Sequence, residues 1–298
     1  MTDAASWPAE LQGFIDRWLQ AQPEQQVALT FVDKQRYPGH FALAALQQEM
    51  LDAAYGFREV QIVANKLQWW VTELSEAPTS GGHHPLTRVL FAESQARAIP
   101  VSTWTAPALA AMAQLGQGTA TDFQAQLAAA EPLHGALARL ETCWWYGIAA
   151  SAEHATRVAT LSHLVHALRR LPQEIDQDRM PLPMALLAQH GLSRELLRQP
   201  SARRTESVKA QLRDLLGNWR DAGELPGPLG LFRAVEARCA RNLARRALAA
   251  RDSLAALAAP SARPGVLDTV QAWRMALAWQ RAHSRVGGDT RADDRAPE

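Results

Sequence analysis

Two consecutive stretches, residues 132–151 and 152–171, carry apolar side chains at helical spacing. The first has Leu133, Leu137, Leu140, Trp144, Trp145 and Ile148; the second has Val158, Leu161, Leu164, Val165 and Leu168. Residues three and four apart share a helix face, so each stretch presents a wide apolar stripe that must be buried. Most of the chain follows the same pattern. Ala, Leu, Gln and Arg dominate, all good helix formers, and alternating β-branched runs are scarce. The chain is therefore expected to be all-α, with its helices packed around a common centre.

The periodicity predicts helices over 7–21, 24–34, 40–57, 58–76, 84–97, 103–115, 119–129, 132–151, 152–171, 183–189, 193–199, 203–221, 226–259 and 264–284. Pro38-Gly39, the loop Pro78-Thr79-Ser80-Gly81-Gly82 and Pro226-Gly227-Pro228 separate them. Thr103 and Thr119 stand where N-caps would, with Asp122 three residues after Thr119. Pro172 is expected to end or kink a helix, because it lacks an amide hydrogen and clashes with the preceding turn.

With 298 residues, 47% of them hydrophobic, the chain can bury a sizeable core. One domain is expected over 1–283. Residues 284–298, polar from Gly287 on, are expected to form a disordered tail. A formal net charge of +1 creates no global field toward nucleic acid. Lysine occurs only at 34, 66 and 209, so the positive charge is nearly all arginine. Cys143 and Cys239 alone make neither a disulfide framework nor a zinc site, which fits a reduced compartment. No stretch approaches about 20 uncharged apolar residues, and Met1–Gln20 lacks the basic start and apolar core of a secretory signal. We expect a cytoplasmic protein with no transmembrane segment. Peripheral contact at the inner face of a membrane is compatible with this.

Several clusters could carry chemistry, and each has a plainer assignment. Trp69-Trp70 and Trp144-Trp145 could wall a binding site, but adjacent helical positions point about 100° apart and core anchoring is the commoner role. His83-His84 lack further ligands at metal spacing, so a loop leading into a helix at Pro85 is the better reading. Glu174, Asp176 and Asp178 could hold Mg²⁺ through carboxylate oxygens, yet Arg169, Arg170 and Arg179 surround them and salt bridges explain the group without a metal. Glu49 and Asp52 share a helix face, with Glu59 beyond them. The arginines from Arg233 to Arg251 read as a solvated helix face, and no aromatics interleave after Phe232 to make a nucleic-acid platform. No G-x-S-x-G elbow, P-loop or G-x-G-x-x-G motif is present.

Short motifs in a fixed order resemble the squalene/phytoene synthase family over residues 27 to 225. Ala28-Leu29-Thr30-Phe31 through Arg36 and Phe41-Ala42-Leu43 looks like that family's opening helix pair. The segment from Lys66 to Leu74, then His84-Pro85-Leu86, is similar to its WW-x-x-E-L and H-P-L pattern. Leu168 to Pro183, then His190-Gly191-Leu192, resembles its L-R-D-V-x-E-D-x-x-x-x-R-x-Y-L-P segment. The resemblance implies an isoprenoid-synthase-like helical bundle around a central cavity. It also implies head-to-head joining of two prenyl diphosphates, with two aspartate-rich motifs holding Mg²⁺. Carboxylates on successive turns can hold metal ions that neutralise a leaving diphosphate, and an apolar cavity protects a carbocation from water.

The chain departs from that pattern where the metal would sit. Arg170 stands at the first aspartate of the second motif, Gln173 at its glutamate and Glu174 at its next aspartate. Pro181 replaces the tyrosine, while Arg179, Leu182 and Pro183 match. In the first motif the chain offers Gln47, Gln48, Glu49 and Asp52, with no D-x-x-x-D. The expected protein is a degenerate, catalytically impaired member that binds an isoprenoid or lipid, or acts as an assembly partner of another protein. The alternative is an active Mg²⁺-dependent head-to-head prenyl transferase. The candidate substrate-binding residues are Arg170, Gln173, Glu174, Arg179, Glu49 and Asp52. No catalytic residue and no metal ligand is assigned, and no cofactor is expected unless the enzyme reading holds, in which case it is Mg²⁺.

Overall fold

A computed structural model describes residues 9–33, 36–259, 270, 273, 274, 276 and 277. Among the described residues there are fifteen α-helices and no strand. They are α1 (Ala9–Ala21), α2 (Gln25–Leu29), α3 (Pro38–Tyr55), α4 (Val60–Ser80), α5 (Pro85–Ala92), α6 (Ser94–Ala98), α7 (Val101–Ala113) and α8 (Phe123–Tyr146). There follow α9 (Glu153–Arg169), α10 (Leu171–Asp176), α11 (Met184–Gln189), α12 (Arg194–Arg198), α13 (Ala202–Ala222), α14 (Leu231–Ala249) and α15 (Ser253–Ala258). No helix among these residues is long and apolar enough to cross a membrane.

Two apolar cores meet along α8. Leu133, Leu137, Leu140, Trp144 and Trp145 pack with α1, α3, α4, α5 and α7. Leu127 and Ala130, earlier on α8, join the core built by α9, α13, α14 and α15. The two stripes read from the sequence therefore form the centre of the molecule, except that Ile148 lies past the helix end and is exposed. Gly147 ends α8 at φ 85°, a conformation that side-chain-bearing residues avoid. Gly39, at the start of α3, lets that helix touch α8. A Cβ there would lie 2.5 Å from Trp144 Cζ2 and overlap the Glu93 carboxylate.

Several predicted boundaries differ from the observed ones. Residues 123–146 form one helix through Pro132, not two. Its N-cap is Asp122, whose carboxylate accepts from the Ala125 amide at 2.9 Å, rather than Thr119. Thr103 lies inside α7, which starts at Val101. The segment 84–97 divides at Glu93, and 226–259 divides near Ala250. Pro172 does end a helix: α9 stops at Arg169, and Pro172 sits in the first turn of α10, where a missing amide hydrogen costs nothing. The expected tail over 284–298 and most of the expected helix over 264–284 lie outside the described residues.

The tryptophan pair on α4 divides. Trp70 is buried, but Trp69 is 48% exposed, so only one of the two anchors the core. Glu73, one turn further on, accepts hydrogen bonds from the amides of His83 (2.8 Å) and His84 (2.9 Å) and from the Thr87 hydroxyl. Burial alone would raise its pKa; these donors outweigh that and hold it below the usual carboxylate range. His84 itself caps α5 by accepting from the Leu86 amide. The W-W-x-x-E-L and H-P-L segments thus meet as a structural clasp.

Candidate functional site

Helices α3, α8, α9 and α14 face one another around a cavity of about 500 Å³. The α1–α2 connection closes one side, and α10 with the residues up to Arg179 forms a rim.

The rim is built on Glu174. Its Oε2 accepts from Arg179 Nε at 2.6 Å, and its Oε1 lies 3.7 Å from Arg170 Nε, one helical turn back. Glu174 itself is buried. Arg179 reaches it because Asp178 takes φ 65°, a left-handed conformation open to aspartate, which folds the chain back on α10. The guanidinium also donates to the Tyr55 carbonyl at 3.0 Å and so ties the rim to the end of α3. Arg169 lines the same cavity, and among the described residues no carboxylate lies within salt-bridge distance of it.

Five of the six sequence-predicted residues line this cavity: Asp52, Arg170, Gln173, Glu174 and Arg179. Glu49 does not. It turns to the neighbouring cleft, where Arg17 Nη2 lies 2.7 Å from its Oε1 and Lys66 and Trp69 stand nearby. Asp52 borders both spaces and accepts from Gln48 Nε2 at 2.8 Å. Asp176 and Asp178 stay outside the cavity, paired with Arg198 and Arg194 at the surface. The cluster read as three carboxylates therefore splits into one buried residue and two solvated ones.

The interior holds residues that the sequence reading passed over. Arg233 is buried, not on a solvated face. Its Nε donates to Glu141 Oε2 at 3.0 Å, its Nη1 to Glu236 Oε2 at 2.6 Å and its Nη2 to Gln47 Oε1 at 3.2 Å. Beside it, Tyr55, His163 and His134 form a column of rings. His134 and His163 stack at 3.9 Å, Tyr55 and His163 at 5.1 Å, and the Tyr55 hydroxyl lies 3.2 Å from His134 Nε2. Burial, reinforced by the Arg170 charge, pushes His163 and His166 down to about 3. Burial likewise holds His134 well below its usual value. The three imidazoles are neutral at physiological pH. A signal for these residues existed: His134, Glu141 and Trp145 follow the phase of the α8 stripe, which puts polar groups on a face bound to be buried.

The fold-level expectation of Mg²⁺ can be tested against this donor set. Among the described residues, no group of three or more His, Cys, Asp or Glu side chains is arranged to hold a metal ion. Both oxygens of Glu174 face guanidinium groups, which occupy the positions a cation would need. The residues present do not fit the metal.

The sequence profile of the squalene/phytoene synthase family matches residues 21–278. The chain belongs to that family. Squalene/phytoene synthase relatives of known structure share its fold at low identity. A squalene synthase, HpnC, from Alicyclobacillus acidocaldarius superposes with a TM-score of 0.57 at 16% identity, over 85% of this chain and 95% of that one. A dehydrosqualene synthase solved in complex with ligand superposes with a TM-score of 0.64 at 11% identity, over 92% of this chain and 99% of that one. No curated protein matches the chain. Within the matched span 21–278 lie all the cavity-lining residues of α3, α8, α9, α10 and α14.

Proposed function

We propose that this squalene/phytoene synthase family member is a binding protein: it holds a single anionic amphiphile in its cavity and does not ionise it. The observation that carries this reading is Glu174 held between Arg170 and Arg179. Arginine suits phosphate recognition by paired, charge-assisted hydrogen bonds, and Arg169, which forms no salt bridge among the described residues although the Glu24 charge acts on it, adds a further cation. The rim so offers fixed positive charge for a phosphate or diphosphate head. Trp18, Leu43, Leu137, Trp145 and Phe232 offer apolar contact behind it. A volume of about 500 Å³ lies within the range of pockets that enclose one small ligand.

The interior supports binding over turnover. A carbocation survives only where nothing nucleophilic or basic can reach it. Here the neutral imidazoles of His163 and His166 and the carboxylates of Glu141 and Glu236 line the space where it would form. Each would capture or deprotonate it.

The test is a titration of farnesyl and geranylgeranyl diphosphate with and without Mg²⁺, run beside an assay for released diphosphate. Saturable binding that Mg²⁺ does not alter, with no diphosphate release, is the expected result. Mg²⁺-dependent release would overturn the proposal and establish the prenyl transferase reading. Absence of binding would move the search to a protein partner.

A further inference from the structure

A second cleft, of about 440 Å³, opens beside the arginine rim. Cavity and cleft share Asp52 and Gly56, and Gly56 has no side chain to stand between them. The rim is fastened at the same point: Arg179 donates to the Tyr55 carbonyl at 3.0 Å, and Arg58 Nη2 lies 3.5 Å from Asp178. The cleft is open, since Asp52, Gly56, Lys66 and Trp69 are all exposed. Trp70 and His84 meet the Trp69 indole at interplanar angles of 72° and 70°, so among the described residues no ring lies flat on it. Around that indole stand two cations and two anions. Arg17 holds Glu49 through Oε1, by Nε at 2.9 Å and Nη2 at 2.7 Å, and leaves Oε2 without a donor among the described residues. Asp52 gives Oδ1 to Gln48 Nε2 and leaves Oδ2 in the same way. Lys66 Nζ rests 3.9 Å from the centroid of the Phe57 ring. Burial holds the His84 imidazole below its usual value, so it adds no charge at physiological pH.

We propose that this cleft is a sugar subsite, so that the head of the ligand is a phosphate or diphosphate that carries a hexose rather than a bare one. A pyranose has an apolar C–H face, which packs on an open indole, and an edge of hydroxyls, each of which both donates and accepts. Those hydroxyls donate to Glu49 Oε2 and Asp52 Oδ2 and accept from Lys66 and Arg17. The charges of the cleft balance, which suits a neutral polar group. A second phosphate would meet two carboxylates, and a cation would meet Lys66 and Arg17. A hydrocarbon group would strip water from four charged side chains and return nothing, which is the basis on which polar sites reject analogues lacking the polar group. A phosphate on the rim has Gly56 at its outer side, so a sugar joined to it enters the cleft directly. The proposal rests on the anionic-head reading above for the rest of the ligand, while the subsite itself depends only on Trp69 and the charged groups around it.

The experiment compares dodecyl phosphate esterified with methanol, glucose or mannose, three diesters of equal charge, by titration calorimetry on the full chain. Octyl glucoside and octanol serve as the uncharged pair. At least one glycosyl diester is expected to bind about tenfold more tightly than the methyl diester, as one or two hydrogen bonds to charged groups warrant. Trp69→Ala, at a half-exposed position, is expected to abolish that preference and to leave the methyl diester affinity unchanged. Equal or weaker binding of both glycosyl diesters in the wild-type protein overturns the subsite, whether or not the variant folds. A preference that survives in folded Trp69→Ala overturns the assignment to this cleft. If no diester binds but octyl glucoside binds better than octanol, and only while Trp69 is present, the anionic-head reading fails and the subsite stands. If no probe binds, both are overturned.

Discussion

Arg233 and Glu141, 92 residues apart in sequence, meet at the wall of the cavity: Arg233 Nε donates to Glu141 Oε2 at 3.0 Å, and Nη2 lies 2.9 Å from the same oxygen. Both residues are buried, and Glu236 completes the group. Removing the cation would leave two carboxylates in a poorly solvated interior. Arg233→Met is therefore expected to destabilise the fold by about 3–5 kcal/mol. Urea unfolding measures it, and a loss below about 1 kcal/mol would show that Arg233 contributes little to the fold.

Glu24 gives the fold a pH dependence. Burial, opposed by its own backbone hydrogen bond, raises its pKa to about 7 from 4.5. The native state thus holds a proton that the unfolded chain has already released between those values. The stabilisation is complete below about pH 4.5 and is lost as pH rises through about 7. Relative to Glu24→Gln, the wild-type melting temperature is expected to fall across that window. Parallel pH profiles of the two proteins would exclude the effect.

Restoring one aspartate does not restore the metal site. In Arg170→Asp, Arg179 still pairs with Glu174 at 2.6 Å, and Gln173 still lacks a charge. No Mg²⁺-dependent diphosphate release from farnesyl diphosphate is expected from this variant. Release above the wild-type level would mean that Arg170 alone blocks the metal.

Glu73 is a clasp whose loss acts on stability. Glu73→Ala leaves the amides of His83 and His84 and the Thr87 hydroxyl without their shared acceptor. A loss of more than about 2 kcal/mol is expected, since hydrogen bonds to a charged group contribute more than neutral ones. Thermal unfolding with the cavity ligand absent measures it, and an unchanged midpoint would contradict the role.

What could be read from the sequence was what depends on local spacing. The stripe from Leu133 to Trp145 is buried along one face of α8, and Pro172 divides α9 from α10 as a proline must. The division between the predicted helices 119–129 and 132–151 does not exist: Pro132 sits inside α8, where packing against both cores outweighs the hydrogen bond that it cannot make. Arg233 departs from expectation for a different reason. It begins an arginine-rich helix that reads as solvated, and only Glu141 on α8 and Gln47 on α3 decide that its first turn is interior. Trp69 shows the converse: an aromatic in a motif-like segment that the fold leaves half in solvent. The rim residues Arg170, Glu174 and Arg179 stood out because family spacing marked them, whereas His134, His163 and His166 belong to no motif.

Arg170 and Arg179 are joined to Glu174 by the peptide chain, so the counter-charge at the rim has no concentration of its own. It cannot be diluted or removed by a chelator, because it is part of the chain. If the proposed binding role holds, the charge that meets the ligand is supplied at folding and does not depend on the magnesium content of the cell.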